Sequence, residues 1–183
     1  MVSIKREQSI VLMIDECHLR WGDVCGYTWL KKKQPINVPI TNEKQGQTDY
    51  GALNIYTKQF HLQAYPCANS EKTIDIIKYL KEKYSNNQLI LIWDNASYHY
   101  SSEVKEYLVE VNQGLREEEW KERCMRLAPH APEQNPVEDV WLKGKNFLRR
   151  NFYLNQTFKQ VKEAFFQFLN NQIFSFNKIN HYF

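Results

Sequence analysis

Two runs of branched apolar residues each break off at an aspartate, and no other feature of the chain constrains its fold as strongly. Ile10-Val11-Leu12-Met13-Ile14 leads into Asp15, and Leu89-Ile90-Leu91-Ile92-Trp93 leads into Asp94. Five consecutive apolar residues with no polar alternation describe a strand covered on both faces, as in α/β sheets with helices on each side. Each aspartate is then expected just past its strand, at the carboxyl edge where open α/β sheets gather their functional groups. If the two strands are neighbours, both carboxylates share one small volume. Like charges at that range resist ionisation. Mg2+ or Mn2+, which take oxygen ligands, would relieve the cost.

A third acid follows in Asn135-Pro136-Val137-Glu138. Asn135 suits a helix N-cap, Pro136 the first helical position, and Glu138 the third position of a capping box. A structural reading is therefore open for Glu138. It is open for the aspartates too, as turn formers or caps. On the residues alone these structural readings stay open beside a shared metal site.

The remaining pattern predicts strand, antiparallel strands, helix, strand, helix, strand, helix, helix. Strand-like stretches cover 27–32, 51–56 and 60–65, with Thr57-Lys58-Gln59 as a hairpin turn and 33–50 as a loop. A helix is expected over 70–84, capped by Ser70, with Ile74, Ile77, Leu80 and Tyr84 inward. Another covers 102–112, with Val104, Tyr107, Leu108 and Val111 at helical spacing. A short strand at 124–128 and a loop at 129–134 precede a helix at 136–150. A last helix starts at Thr157, which forms a capping box with Gln160 and buries Phe158, Val161, Phe165, Phe168 and Leu169.

At 183 residues the chain fits one domain, 1–183, with a full core. The formal charge of +3 and pI near 8.6 permit a polyanionic partner without requiring one. Cys17, Cys25, Cys67 and Cys124 form no CxxC pair and read as reduced thiols. No apolar stretch reaches the ~20 residues of a membrane span, and no signal-peptide core opens the chain. The expected compartment is cytoplasmic.

The set Ile14-Asp15-Glu16, Trp93-Asp94-Asn95-Ala96-Ser97-Tyr98-His99 and Ala131-Pro132-Glu133-Gln134-Asn135-Pro136-Val137-Glu138-Asp139-Val140-Trp141 resembles the DDE-type transposases. Specifically it is similar to the mariner-type superfamily in its bacterial insertion-sequence branch. The Asp-Asn-Ala-x-x-His and Asn-Pro-x-Glu-x-x-Trp stretches carry the likeness, which spans roughly residues 9–170. Gln134 and Ala128 depart from the usual pattern without touching the acids. The resemblance implies a ribonuclease H-like α/β fold, with a mixed five-stranded sheet flanked by helices. It implies that Asp15, Asp94 and Glu138 bind metal and catalyse DNA strand cleavage and strand transfer, using two Mg2+ (or Mn2+) ions. Asn95, His99 and Asn135 match motif positions and are expected beside the site.

Such enzymes carry helix-turn-helix DNA-binding modules ahead of the catalytic domain. None is expected here, so DNA (transposon ends and target), a separate N-terminal DNA-binding chain and a second copy of this chain are the expected partners, in the nucleoid. Lys31, Lys32, Lys33, Lys143, Lys145, Arg149 and Arg150 are the candidates for phosphate contact, weighed against mere solubilising charge. Glu16 should point away from Asp15 across the strand, and Asp139 sits about 100° round the helix from Glu138. Neither is expected to bind metal. Trp141 reads as core packing and His61 as a half-buried strand residue. Two alternatives stand beside the transposase reading. One is another ribonuclease H-like nuclease. The other is a non-enzymatic remnant that regulates a full-length transposase.

Overall fold

The computed structural model describes residues 9–25, 31–33, 46–128 and 134–176. Five strands form one sheet in the order β3-β2-β1-β4-β5. They are β1 (Ser9–Arg20), β2 (Gly46–Asn54), β3 (Phe60–Tyr65), β4 (Gln88–Trp93) and β5 (Glu122–Arg126). β2 pairs antiparallel with both β1 and β3, while β4 pairs parallel with both β1 and β5. The helices are α1 (Ser70–Lys83), α2 (Ser102–Val111), α3 (Val137–Arg150) and α4 (Phe158–Leu169).

Alternation along β1 sends side chains to two different cores, as the period of a strand requires. Val11, Met13, Cys17 and Leu19 face α3 and α4 and pack with Val140, Trp141, Val161 and Phe165. Leu12 and Ile14 face the other way, with Tyr50, Leu91 and Trp93, against Ile76, Ile77 and Leu80 of α1. Both faces are covered, which is why the two runs contain no polar alternation.

Several expectations need correction. β1 does not stop at Asp15 but continues to Arg20, because β2 keeps pairing with it out to Arg20↔Gly46. What ends near Asp15 is the parallel pairing with β4, whose last pair is Met13↔Ile92. β2 starts at Gly46, inside the expected loop; its polar Thr48 and Asp49 are buried, so tertiary packing overrides their loop-like composition. β5 begins at Glu122 rather than 124. The cap of α1 is Asn69, whose side chain accepts from the Lys72 amide at 2.9 Å, and the buried stripe is Thr73, Ile76, Ile77 and Leu80, with Ile74 only partly covered. His61 is fully buried against the Tyr84 hydroxyl at 2.8 Å. The Thr157–Gln160 capping box is present. Of the strand expected at 27–32, residues 27–30 lie outside the described residues and 31–32 are not in a strand; of the loop expected at 129–134, only 134 is described. All four cysteines are free, and among the described residues no helix is long and apolar enough to cross a membrane.

Candidate active site

The Asp15-to-Asp94 interval is 79 residues, the same offset that pairs Met13 with Ile92. The pairing ends there, and Asp15 and Asp94 follow it, Asp15 within β1 and Asp94 just past the last residue of β4. Asp15 points to the α3 side. Its carboxyl is held in place by the Trp141 indole, whose N–H donates to Oδ2 at 3.0 Å.

The start of α3 is fixed by Asn135. Its side-chain amide donates to the Ile14 carbonyl at 3.2 Å, and its Oδ1 accepts from the Val137 amide at 3.1 Å. The loop before the helix is thereby tied to the residue just before Asp15. Val137, Val140, Trp141, Gly144 and Leu148 form the buried stripe of α3, and Glu138 stands three residues before Trp141 on the adjoining, exposed side. Residues so spaced are neighbours on a helix, so the contact that seats Trp141 on Asp15 also brings Glu138 toward it. The expected capping box does not form. Pro136 takes the N-cap position with no side-chain cap bond, and among the described residues the Glu138 side chain makes no hydrogen bond or ion pair. The structural reading of Glu138 therefore has no support in its contacts.

Electrostatics register the convergence. Burial pushes the Asp15 carboxyl up to about 8; the Glu138 and Glu16 carboxylates add to the shift, the Trp141 N–H opposes it, and Asp94 raises it further. Neighbouring negative charge and partial burial are what a divalent cation compensates.

Gly51 makes the arrangement sterically possible. It pairs with Asp15 across β1 and β2, and a Cβ there would come within 2.6 Å of the Trp141 ring and 2.3 Å of Phe60. Only a bare backbone lets the indole cross the sheet to reach the carboxylate.

On the opposite face, Glu16 points away from Asp15 as expected. It accepts from the Tyr98 hydroxyl at 3.1 Å and lies 2.9 Å from His99 Nε2. His99 stacks on Trp93, with centroids 4.5 Å apart, and its Nδ1 stands 3.2 Å from Asp94 Oδ1. That approach falls within ion-pair range but off a hydrogen-bond line, since Nδ1 has no hydrogen-bond partner. Asp94 Oδ1 also accepts from the Ala96 amide at 2.9 Å. Asn95 donates to the Leu127 carbonyl at 3.2 Å, joining the ends of β4 and β5.

Glu16, Asp94 and His99 offer ligand atoms within 4.8 Å of one another. A cation centred there would have to displace the His99–Glu16 bond, between side chains that are 0% and 6% exposed. Asp94, at 53%, is the open member. Asp15, Asp94 and Glu138, the set expected from the sequence, are not brought within that distance of one another as a group among the described residues.

The basic residues divide. Lys145 pairs with Asp23 at 3.3 Å, and Arg149 donates to the Cys25 carbonyl at 3.0 Å, so both hold the 3-10 turn Trp21–Val24 against α3. Lys31, Lys32, Lys33 and Arg150 are exposed. Lys143 is exposed too, over the Phe176 ring at 4.3 Å.

Sequence reasoning missed the Trp141–Asp15 bond and the Glu16–His99 pair. A signal for the second was present: β1 is covered on both faces, so a charged residue facing inward at position 16 requires a buried polar partner.

Residues 10–164 match the family model for the DDE superfamily endonuclease. The chain belongs to that family. No curated protein matches the sequence. Among solved structures, the DDE endonuclease chain is similar to three worth comparing. One is the simian T-cell lymphotropic virus intasome in complex with PP2A regulatory subunit B56 gamma, with TM-score 0.60 and 10% identity over 91% of this chain and 50% of that one. The second is the Mos1 transposase paired-end complex with left transposon end, with TM-score 0.57 and 15% identity over 87% and 47%. The third is the HTLV-2 integrase catalytic core domain in complex with magnesium, with TM-score 0.54 and 11% identity over 87% and 86%. At such identities the likeness concerns the fold, which is ribonuclease H-like with a mixed five-stranded sheet. The chain spans about half the length of the intasome and Mos1 chains.

Proposed function

We propose that this DDE endonuclease is the catalytic domain of a transposase, cutting DNA strands at transposon ends and joining them to target DNA. The observation that supports the reading is the partly buried Asp15 carboxyl, seated on the Trp141 indole of the helix that carries Glu138; it is raised to about 8 chiefly by burial, then by Glu138 and Glu16, and last by Asp94. Similar folds occur in Mos1 complexes with a transposon end and with Mn, and in an integrase core with magnesium.

The donor set fits a hard divalent ion. Asp15, Asp94 and Glu138 would hold Mg2+ or Mn2+, two ions in the arrangement used for phosphodiester chemistry. Metal bound there supplies Lewis acidity and charge neutralisation at a scissile phosphate. The chain's own groups orient the carboxylates: Trp141 fixes Asp15, the Ala96 amide fixes Asp94, and Asn135 fixes the helix start that carries Glu138. Burial pushes the Cys17 and Cys124 thiols up to about 12, so neither supplies a thiolate. Water, and then a DNA 3′-hydroxyl, serve as nucleophiles.

Lys31, Lys32, Lys33, Lys143 and Arg150 are the proposed phosphate contacts. A separate DNA-binding chain and a second copy of this chain are the proposed partners in a nucleoid-associated assembly. The test is Mn2+-dependent nicking of oligonucleotides carrying the element's flanking repeats, alone and with the DNA-binding chain. Asp94→Asn should abolish it while leaving the fold intact, and persistent nicking in that variant would refute the assignment.

A further inference from the structure

Glu16 and His99 form a buried polar pair outside the proposed three-carboxylate site. A carboxylate and an imidazole placed inside the fold cost desolvation unless their contacts repay it. The repayment is visible. Glu16 takes hydrogen bonds from the Tyr98 hydroxyl (3.1 Å) and lies 2.9 Å from His99 Nε2. His99 is clamped between the Trp93 ring, stacked at 4.5 Å, and the Tyr98 ring, edge-on at 4.6 Å. Its backbone amide donates to the Ala96 carbonyl at 3.1 Å. A ring held on so many sides has one orientation, and that orientation brings Nδ1 to 3.2 Å from Asp94 Oδ1, within ion-pair range though off a hydrogen-bond line. Nδ1 is buried and otherwise unpartnered.

Asp94 needs such a guide. It follows the last residue of β4, outside the sheet's hydrogen bonding, and its carboxyl is 53% exposed. The Ala96 amide is a second contact, and both fall on Oδ1. An exposed loop carboxylate free to rotate would bind metal at an entropic cost, whereas one held on a single oxygen presents the other.

We infer that Glu16 and His99 act as a positioning pair, Glu16 fixing the His99 ring and the ring fixing Asp94 for metal. The inference rests on Asp94 being a metal ligand. Partners standing behind ligands typically change metal affinity 10- to 100-fold when removed.

The two imidazole nitrogens can be replaced separately. The amide nitrogen of asparagine falls near the place of Nδ1, and that of glutamine near Nε2. His99→Gln therefore keeps the Glu16 contact and gives up Asp94, while His99→Asn does the reverse. Mn2+ affinity is measured by isothermal titration without DNA, alongside the melting temperature of the metal-free protein. The pair predicts that His99→Gln weakens Mn2+ binding roughly 10-fold or more, that His99→Asn weakens it less, and that Glu16→Gln weakens it through the same path. The Glu16→Gln, His99→Gln double variant should then lose less than the two single losses combined. A purely structural histidine predicts lower melting temperatures for both His99 variants with Mn2+ affinity unchanged. If His99→Gln does not fold, Glu16→Gln and Tyr98→Phe carry the measurement from the other end of the pair. Asp94→Asn separates the two assignments. Should it lose Mn2+ binding while the His99 and Glu16 variants bind as the parent does, the positioning pair is wrong and the ligand assignment stands. Should Asp94→Asn itself bind Mn2+ normally, both fall together.

Discussion

Trp141 donates its indole N–H to Asp15 Oδ2 at 3.0 Å, so the helix bearing Glu138 is bonded directly to the first acid of the site. A packing residue and a positioning residue are here the same side chain. Its ring is edge-on to Phe60 and stacked on Phe165, and its one polar atom reaches the Asp15 carboxyl.

Replacing that atom alone gives the first prediction. Trp141→Phe removes the donor and keeps an aromatic ring in the core. Stability should fall by about 2 kcal/mol, from the lost hydrogen bond and a small cavity. Mn2+ affinity should fall as well, because Asp15 loses the group that favours its charged form. Denaturant unfolding and Mn2+ titration measure the two effects, and an unchanged Mn2+ affinity would reduce Trp141 to packing.

Gly51→Ala tests the same contact from the other side. The added methyl meets Trp141 and Phe60 well inside van der Waals distance, and overpacking of this kind costs about 1–3 kcal/mol. If the indole is what yields, Mn2+ affinity drops along with stability. Loss of stability with intact Mn2+ binding would mean that Phe60 moves instead.

Asn135→Ala should cost about 1–3 kcal/mol, since it leaves the buried Ile14 carbonyl without its donor. The helix start then loses its tether to β1. Mn2+ binding should weaken more than in Asn95→Ala, whose bond ties β4 to β5 at a distance from Glu138.

Among the described residues burial raises three acids, Asp15, Asp49 and Glu122, and lowers His61, which opposes them in the acid range. Asp15 is raised to about 8, chiefly by burial and then by Glu138 and Glu16, and Asp49 to about 7, chiefly by burial. A carboxyl raised on folding binds more protons in the native than in the unfolded state. Its stabilising contribution is complete below about 4 and is lost as pH rises through the folded value. The metal-free protein should therefore lose stability between about pH 4 and 8. Millimolar Mg2+ should restore more of the melting temperature at pH 8 than at pH 6, because it competes with protons for Asp15. Asp49→Asn should flatten the metal-free decline near pH 7 and leave the Mg2+ effect in place. A metal-free stability that rises across this range would contradict the assigned shifts.

Much of this was legible in the residues, for identifiable reasons. The β4 run, α2 and α4 follow simple periodicities, and Thr157 with Gln160 forms the cap their spacing announces. Elements decided by partners were not legible. β1 continues through Asp15 and Glu16 because β2 lies alongside. The first half of β2 is a strand although Gln47, Thr48 and Asp49 read as loop. At the site, the residue order offered three candidate acids, but nothing local says that Trp141 turns its polar atom toward position 15. The Glu16–His99 contact joins residues 83 apart, beyond any periodicity.

The central claim is that Asp15, Asp94 and Glu138 share divalent metal used to cut DNA. The most direct measurement compares Mn2+ affinity and Mn2+-dependent nicking across the parent protein, Asp15→Asn, Asp94→Asn and Glu138→Gln, each checked for an intact fold by circular dichroism. The account predicts that every single replacement weakens Mn2+ binding and abolishes nicking. A folded Glu138→Gln variant that binds Mn2+ and nicks DNA like the parent would contradict it.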